Sequence, residues 1–252
     1  MKTPLNSKFT RSCGFTLVEL LVTITIIGAL AALTTVGIKR MRQSADTTVA
    51  IKRIAGFAQA NALFAVDHNG KYVEAYAFDE DGGRKVSWHI NPTFLETLIG
   101  DNSLLEGADQ FEGVDGLPES VLDPAVVRAK RSQWSRIPAS FAYNNENVPG
   151  GGWGEPGTSR AHTITSVKNP SEQFAFITAT DWIANYGGRY LWKNSPVEGK
   201  TFDSKIAYRH QNKAVVAFYD GHTETKTIEQ IRAIDRLGGI NNVFWGGEKR
   251  SR

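Results

Sequence analysis

The sequence predicts an α+β protein: one long N-terminal helix, membrane-spanning in its first half and amphipathic in its second, packed on an antiparallel β-sheet with long loops. Three observations predict it. Residues 15–38 form an apolar run interrupted by one acid, Glu19. From Val36 to Val66 there is no proline, and Ile51, Ile54, Ala58, Ala62 and Ala65 recur at steps of three and four, the stripe of a helix that lies on a sheet. Beyond it come short apolar or alternating runs separated by Gly, Asp and Pro, clearest at Lys213–Tyr219, Asp220-Gly221 and His222–Ile228, the pattern of strands joined by tight turns.

Residues 1–14 read as a leader with Lys2, Lys8 and Arg11 and no acid. The run over 15–38 exceeds the roughly 20 residues needed to cross about 30 Å of hydrocarbon. Residues 39–66 continue it as the amphipathic half. At 1.5 Å per residue the helix from Phe15 to Val66 spans roughly 75 Å, less than half of which fits in lipid. Lys39, Arg40 and Arg42 suit lipid headgroups, but they balance the leader's cations and so leave orientation undecided. Asn69-Gly70 supplies the stop, because both accept the left-handed conformation at a helix end.

Residues 67–252 follow as one α+β domain, which the resemblance described below implies is extracytoplasmic, long enough to bury roughly 70% of its unfolded surface. Its first element is a hairpin, Tyr72–Phe78 and Arg84–Ile90 around an acidic tip, with Val86, Trp88 and Ile90 alternating as a half-buried strand. Pro92–Ile99 and Ala125–Ser132 read as short helices. The Gly-rich loop over 149–157 lacks the Gly-Lys-Ser/Thr ending of a phosphate loop. Thr227 and Gln230 form a capping-box pattern opening a helix through Leu237, with Gly238-Gly239 as its stop. Val243-Phe244-Trp245 is an apolar plug before the basic end.

Charge and cysteine usage exclude whole classes. The chain has 29 Lys+Arg and 26 Asp+Glu; without the leader's three cations the basic count falls to 26, equal to the acidic. A balanced chain has no general electrostatic drive toward nucleic acid. The one cysteine, Cys13, lies in the leader, so residues 15–252 hold no disulfide, thiol nucleophile or zinc–thiolate site.

Glu19 stands where a bilayer penalises it. A charge at the centre of a spanning helix costs roughly 2.5–3.5 kcal/mol on insertion scales, which makes an intramembrane acid a functional hypothesis by default. Were a chain to start at Phe15, its α-amine, which ordinarily titrates at about 7.7–8.0, would stand at the head of the helix. A carboxylate one turn along can face the amine of a neighbouring copy, and unit charges about 4 Å apart attract by about 4 kcal/mol at an effective dielectric near 20. Pairing thus offsets the insertion cost and sets the axial register. A secretory signal ending at Ala29-Leu30-Ala31 fits less well, because the apolar run continues to Ile38 and contains Glu19.

The basic leader, Gly14-Phe15-Thr16-Leu17-Val18-Glu19 and the apolar helix behind it resemble the signal of type IV pilins and type II secretion pseudopilins. The resemblance implies a pilin-like fold in which a prepilin peptidase cuts between Gly14 and Phe15 and N-methylates Phe15, with Glu19 serving assembly. It implies a single-pass protein of the bacterial inner membrane, its globular domain in the periplasm. It further implies, as partners, membrane lipid, an inner-membrane assembly platform and other pilin or pseudopilin subunits of a filament that can reach the cell surface. Val36 stands where many pilins have proline.

A second cluster lies near the carboxyl end. His210, nine residues and Asp220-Gly221 resemble the signature of a module that accompanies prepilin-type leaders, with Ser140–Asn144, Asn169-Pro170-Ser171, Phe174–Thr178 and Asp181 as supporting elements. His210, Asp220 and His222 are read as structural residues of a turn and sheet face, or as a metal cluster with Asp181, although a credible site needs three or more convergent ligands. Catalysis by His210 and Asp220 is a third reading, and no Gly-x-Ser-x-Gly or His-Glu-x-x-His is present. Asp79 and Asp81 begin a calcium-loop pattern without its bidentate Glu, and Asp181, Asn185 and Asp203 mark a vaguer calcium candidate. No cofactor other than calcium is expected, and no enzyme. Trp182, Tyr186, Tyr190 and Trp192 are read as core or as a binding surface. The alternative to a filament subunit is a membrane-anchored extracytoplasmic module that recognises carbohydrate or another surface without polymerising.

Overall fold

The computed structural model describes residues 16–78, 84–100, 117–130, 140–149, 155–157, 159–188 and 205–247. The chain divides into two compact units, Met1–Arg42 and Gln43–Arg252. Helix α1 runs from Leu17 to Asp67. In the first unit its apolar side chains are exposed, Leu20, Ile24, Ile27 and Leu33 among them, and the helix is long and apolar enough to cross a membrane. Its hydroxyls are folded back on the helix: Thr23 donates to the Leu20 carbonyl at 2.8 Å, Thr25 to Val22 at 2.8 Å and Thr34 to Leu30 at 3.0 Å. Polar groups satisfied within one segment are what hydrocarbon requires.

In the second unit α1 buries Ala50, Ile54, Phe57, Ala58, Ala60, Asn61, Phe64 and Ala65. The expected stripe holds at Ile54, Ala58 and Ala65, but Ile51 is half-buried and Ala62 is exposed. Phe57 and Phe64 set the face instead, since an aromatic side chain buries 150–250 Å² and outweighs a methyl in choosing which way the helix turns. The helix ends where Asn69 (φ 54°) and Gly70 (φ 77°) turn left-handed and the Gly70 N–H donates to the Ala65 carbonyl at 2.8 Å.

The remaining elements are β1 (Tyr76–Phe78), β2 (Arg84–Ser87), α2 (Pro92–Ile99), α3 (Pro124–Lys130), β3 (Phe141–Asn144), β4 (Ser159–Arg160), β5 (Phe174–Thr178), β6 (Ile183–Ala184), β7 (Lys213–Phe218), β8 (Thr223–Thr227) and α4 (Ile228–Arg236). Among the described residues the strands form a five-stranded sheet in the order β6-β3-β5-β7-β8 and a three-stranded sheet in the order β2-β1-β4. Pairings are antiparallel except β3 with β6.

The central strands β3, β5 and β7 of the five-stranded sheet are buried on both faces, whereas the edge strand β8 is only half-buried with Glu224 exposed. One face presents Phe141, Tyr143, Phe176, Val215 and Ala217 to Ile54, Phe57 and Phe64 of α1. Phe57 sits at the centre, its ring 5.5 Å from Phe141, 5.6 Å from Phe176 and 5.6 Å from Trp88. The other face presents Ala142, Phe174, Ile177, Val216 and Phe218 to Ile231 of α4 and to Phe244 and Trp245. Those two belong to a 3-10 turn, Val243–Trp245, with Phe244 4.8 Å from Phe174, so the apolar plug closes this layer. Two buried faces explain why β5 and β7 read as continuous apolar runs.

Two strands are shorter than expected: β1 covers only Tyr76–Phe78 of the predicted Tyr72–Phe78, and β2 is cut short as well. β2 ends at Ser87, and Trp88–Ile90 is a 3-10 turn with Trp88 and His89 both buried, so the predicted alternation through Ile90 fails. The Trp88 Nε1–H donates to the Trp182 carbonyl at 2.5 Å, which draws the ring into the core. Immediately afterwards Asn91 caps α2 by accepting from the Phe94 N–H at 3.1 Å.

Candidate functional site

At the head of α1, Thr16 and Glu19 cap each other. The Thr16 Oγ1 accepts from the Glu19 N–H at 3.2 Å, and the Glu19 Oε2 accepts from the Thr16 N–H at 2.9 Å. The Thr16 hydroxyl also donates to Oε2, at 2.8 Å. This is a reciprocal capping box, which satisfies orphan amides of the first turn and puts a carboxylate at the positive end of the helix dipole. Both bonds that the carboxylate accepts here fall on Oε2. An ionised carboxylate offers about four lone-pair sites, so Oε1 remains open to a further donor. Gly14 and Phe15 lie outside the described residues. The Thr-x-x-Glu spacing is visible in the sequence, but attention to charge alone misses Thr16.

The C-terminal candidates do not converge. His210 and Asp220-Gly221-His222 stand at opposite ends of β7. His210 closes a two-residue turn: Gln211 (φ 53°) and Asn212 (φ 63°) are both left-handed, and His210 and Lys213 exchange backbone bonds of 3.1 and 3.0 Å. At the far end the Gly221 N–H donates to the Phe218 carbonyl at 3.0 Å and the Phe218 N–H donates to the His222 carbonyl at 3.0 Å, with Gly221 at φ 89°. Only Gly221 is left-handed there, so this is a three-residue loop with a Gly bulge rather than the two-residue turn expected of Asp-Gly. Asp220 accepts from the His222 N–H at 3.1 Å and meets its Nδ1 at 2.5 Å, while the His222 ring stacks on Phe218 at 4.2 Å. The nine-residue spacing is the length of one strand with a turn at each end.

His210 pairs instead with Asp123, a residue outside every motif described above. Its Nε2 lies 3.0 Å from Asp123 Oδ2, which also accepts from Arg209 Nη1 at 3.1 Å; Oδ1 accepts from the Ala125 N–H at 2.8 Å. Arg209 further donates to the Ser140 carbonyl at 3.1 Å and the Ala179 carbonyl at 2.6 Å. Burial pushes the Asp123 carboxyl up, but the His210 hydrogen bond and the Arg209 guanidinium outweigh it and hold the group at about 2. Asp123-Pro124 is the cap-then-proline start of α3, the one local signal that points to this residue. The node joins the α3 segment to the sheet, and its side chains are 0–2% exposed. It is closed to solvent.

Asp181 is buried and accepts from the Trp182 N–H at 2.8 Å. Among the described residues no group of three His, Cys, Asp or Glu side chains converges as a metal site. Asp79, Asp81 and Asp203 lie outside the described residues, as do Tyr190 and Trp192. Trp182 is core, edge-on to Tyr76 at 6.4 Å, and the half-buried Tyr186 packs on Trp245 at 5.6 Å.

Residues 9–35 match the family model described as the prokaryotic N-terminal methylation motif. The chain thus carries a prepilin-type methylation motif, with a long apolar helix behind it, on a pilin-like α+β fold. The motif indicates a structural subunit rather than an enzyme, anchored in the membrane by one N-terminal helix. Comparison with curated proteins and with solved structures gives no match.

Proposed function

We propose that this chain is a filament subunit of the type IV pilus or type II secretion class. A prepilin peptidase cuts between Gly14 and Phe15 and methylates the new amine. An inner-membrane platform then draws α1 out of lipid and into a helical assembly, with the globular domain on the periplasmic side. Burial of the apolar first half of α1 among neighbouring copies supplies affinity, and Glu19 paired with the Phe15 amine of an adjoining subunit supplies register. The observation that carries this reading is the methylation motif over residues 9–35. The open Oε1 supports it further: Glu19 can hold its own helix cap through Oε2 and still receive an amine.

Glu19→Val tests the register role. The variant should insert in the membrane as wild type does, yet be incompletely methylated and fail to assemble, read by intact mass of the mature chain and by the yield of sheared filaments. Full methylation with normal filaments removes Glu19 from assembly. Cysteine crosslinks placed along α1 distinguish a polymer from a solitary anchored binding module, which would give none between copies.

A further inference from the structure

We propose that the seam between α1 and the sheet is acid-sensitive, with His162 as the group that senses the proton. The chain leaving α1 is stitched to the segment after β4 at this histidine. The Tyr72 N–H donates to the His162 carbonyl at 3.0 Å, the Ile164 N–H donates to the Gly70 carbonyl at 2.9 Å, and Lys71 bridges Thr163. The same seam takes Asn61 of α1, whose Oδ1 accepts from the Val73 N–H at 3.0 Å.

The imidazole itself is enclosed. It meets the Tyr219 ring edge-on at 5.4 Å and the Tyr143 ring at 6.4 Å, and those two hydroxyls bond each other at 3.0 Å. Tyr72 packs on Tyr219 at 4.8 Å, and the Asn61 amide faces the Tyr143 hydroxyl. His162 Nε2 is buried and, among the described residues, has no hydrogen-bond partner. The charged group facing it is Arg160 of β4; among the described residues no carboxylate pairs with it, in contrast to His210. A neutral ring is tolerated in this setting. An imidazolium would be a buried cation beside another cation, with no anion to offset it.

Burial, and then Arg160, press the imidazole down to about 3 from an ordinary 6.5. The opened seam therefore binds a proton from about pH 6.5 downward, while the closed seam resists it until about pH 3. The closed form keeps its full advantage above the upper value and loses it as pH falls between the two. One extra proton in the open form raises the opening constant about tenfold per pH unit.

Hydrogen exchange of the full-length chain in detergent micelles between about pH 7 and 4, corrected for the intrinsic rate, reads this directly. Peptides covering residues 61–75 and 159–167 should lose protection about tenfold per unit below about pH 6.5, and His162→Gln should abolish that slope. Flat wild-type protection overturns the proposal, as does an unchanged slope in the variant. Should His162→Gln fail to fold, the ring nitrogens of His162 in the wild-type chain decide by NMR. A ring still neutral at about pH 5 supports the proposal, and titration near the ordinary histidine value of about 6.5 removes it.

Discussion

The two ends of the chain carry the same device with different chemistry. At α4, Thr227 and Gln230 cap each other, with the Thr227 N–H donating to Gln230 Oε1 at 2.7 Å and the Gln230 N–H to Thr227 Oγ1 at 3.2 Å. At α1, Thr16 and Glu19 make the same exchange at 2.9 and 3.2 Å. A neutral amide is thus sufficient to close the box. The box itself therefore does not need the charge on Glu19, which stands in an apolar segment where charge is penalised. The charge that the cap does not require is the one the proposed pairing with a neighbouring amine would use.

Glu19→Gln separates the two roles and carries the largest expected effect. The box survives, because Gln accepts from the Thr16 N–H as Gln230 does from Thr227. Membrane insertion should equal or exceed wild type, while filament yield falls by an order of magnitude or more, because the charge proposed to meet the neighbouring amine is gone. Sheared-filament yield and intact mass measure it. Wild-type assembly in this variant would reduce Glu19 to a cap.

Asp123 is the contrasting carboxylate, complete within its own chain. Asp123→Asn keeps the shape but leaves buried Arg209 and His210 without their anion, which should cost about 3–5 kcal/mol of stability. Urea unfolding of the full chain in detergent checks it, and filament chemistry at Glu19 should be untouched. The carboxyl also titrates in a defined window. Its folded value of about 2 lies below the ordinary 3.8, so its contribution is fully present above pH 3.8 and is lost as pH falls toward 2. The amount is about 2 kcal/mol. Unfolding free energies measured from about pH 5 down to 2 should show this component in the wild type and lack it in Asp123→Asn.

Legibility in the sequence follows the range of the interaction. Local signals are readable: the apolar run and the Asn69-Gly70 stop of α1, Pro92 opening α2, the Thr227–Gln230 box, the Val243–Trp245 plug. The face of α1 is only partly readable, because periodicity counts Ala62 and Phe57 alike whereas burial weighs them by area. Trp88 leaves its predicted strand for a related reason: its packing partners Phe57 and Phe176 and its acceptor Trp182 are distant in sequence. The Asp123–Arg209–His210 node is invisible as a node. Nothing local marks a contact spanning 87 positions, and spacing alone groups His210 with its near neighbours in sequence instead.

The inference drawn from the two boxes can itself be broken, by the smallest effect of the series. If charge and capping are separable, Gln230→Glu should leave the box at α4 intact and change stability only through the helix dipole. The acid sits in the first turn, where a negative charge is worth about 0.3–1 kcal/mol at low ionic strength. Glu229 already occupies that turn, so the gain should fall at the lower end and fade with added salt. Urea midpoints at low and high salt are enough to see it. A loss of several kcal/mol would mean that the box discriminates between amide and carboxylate; Gln230 could then no longer serve as the neutral standard for Glu19, and the charge at the head of α1 would need no partner to explain it.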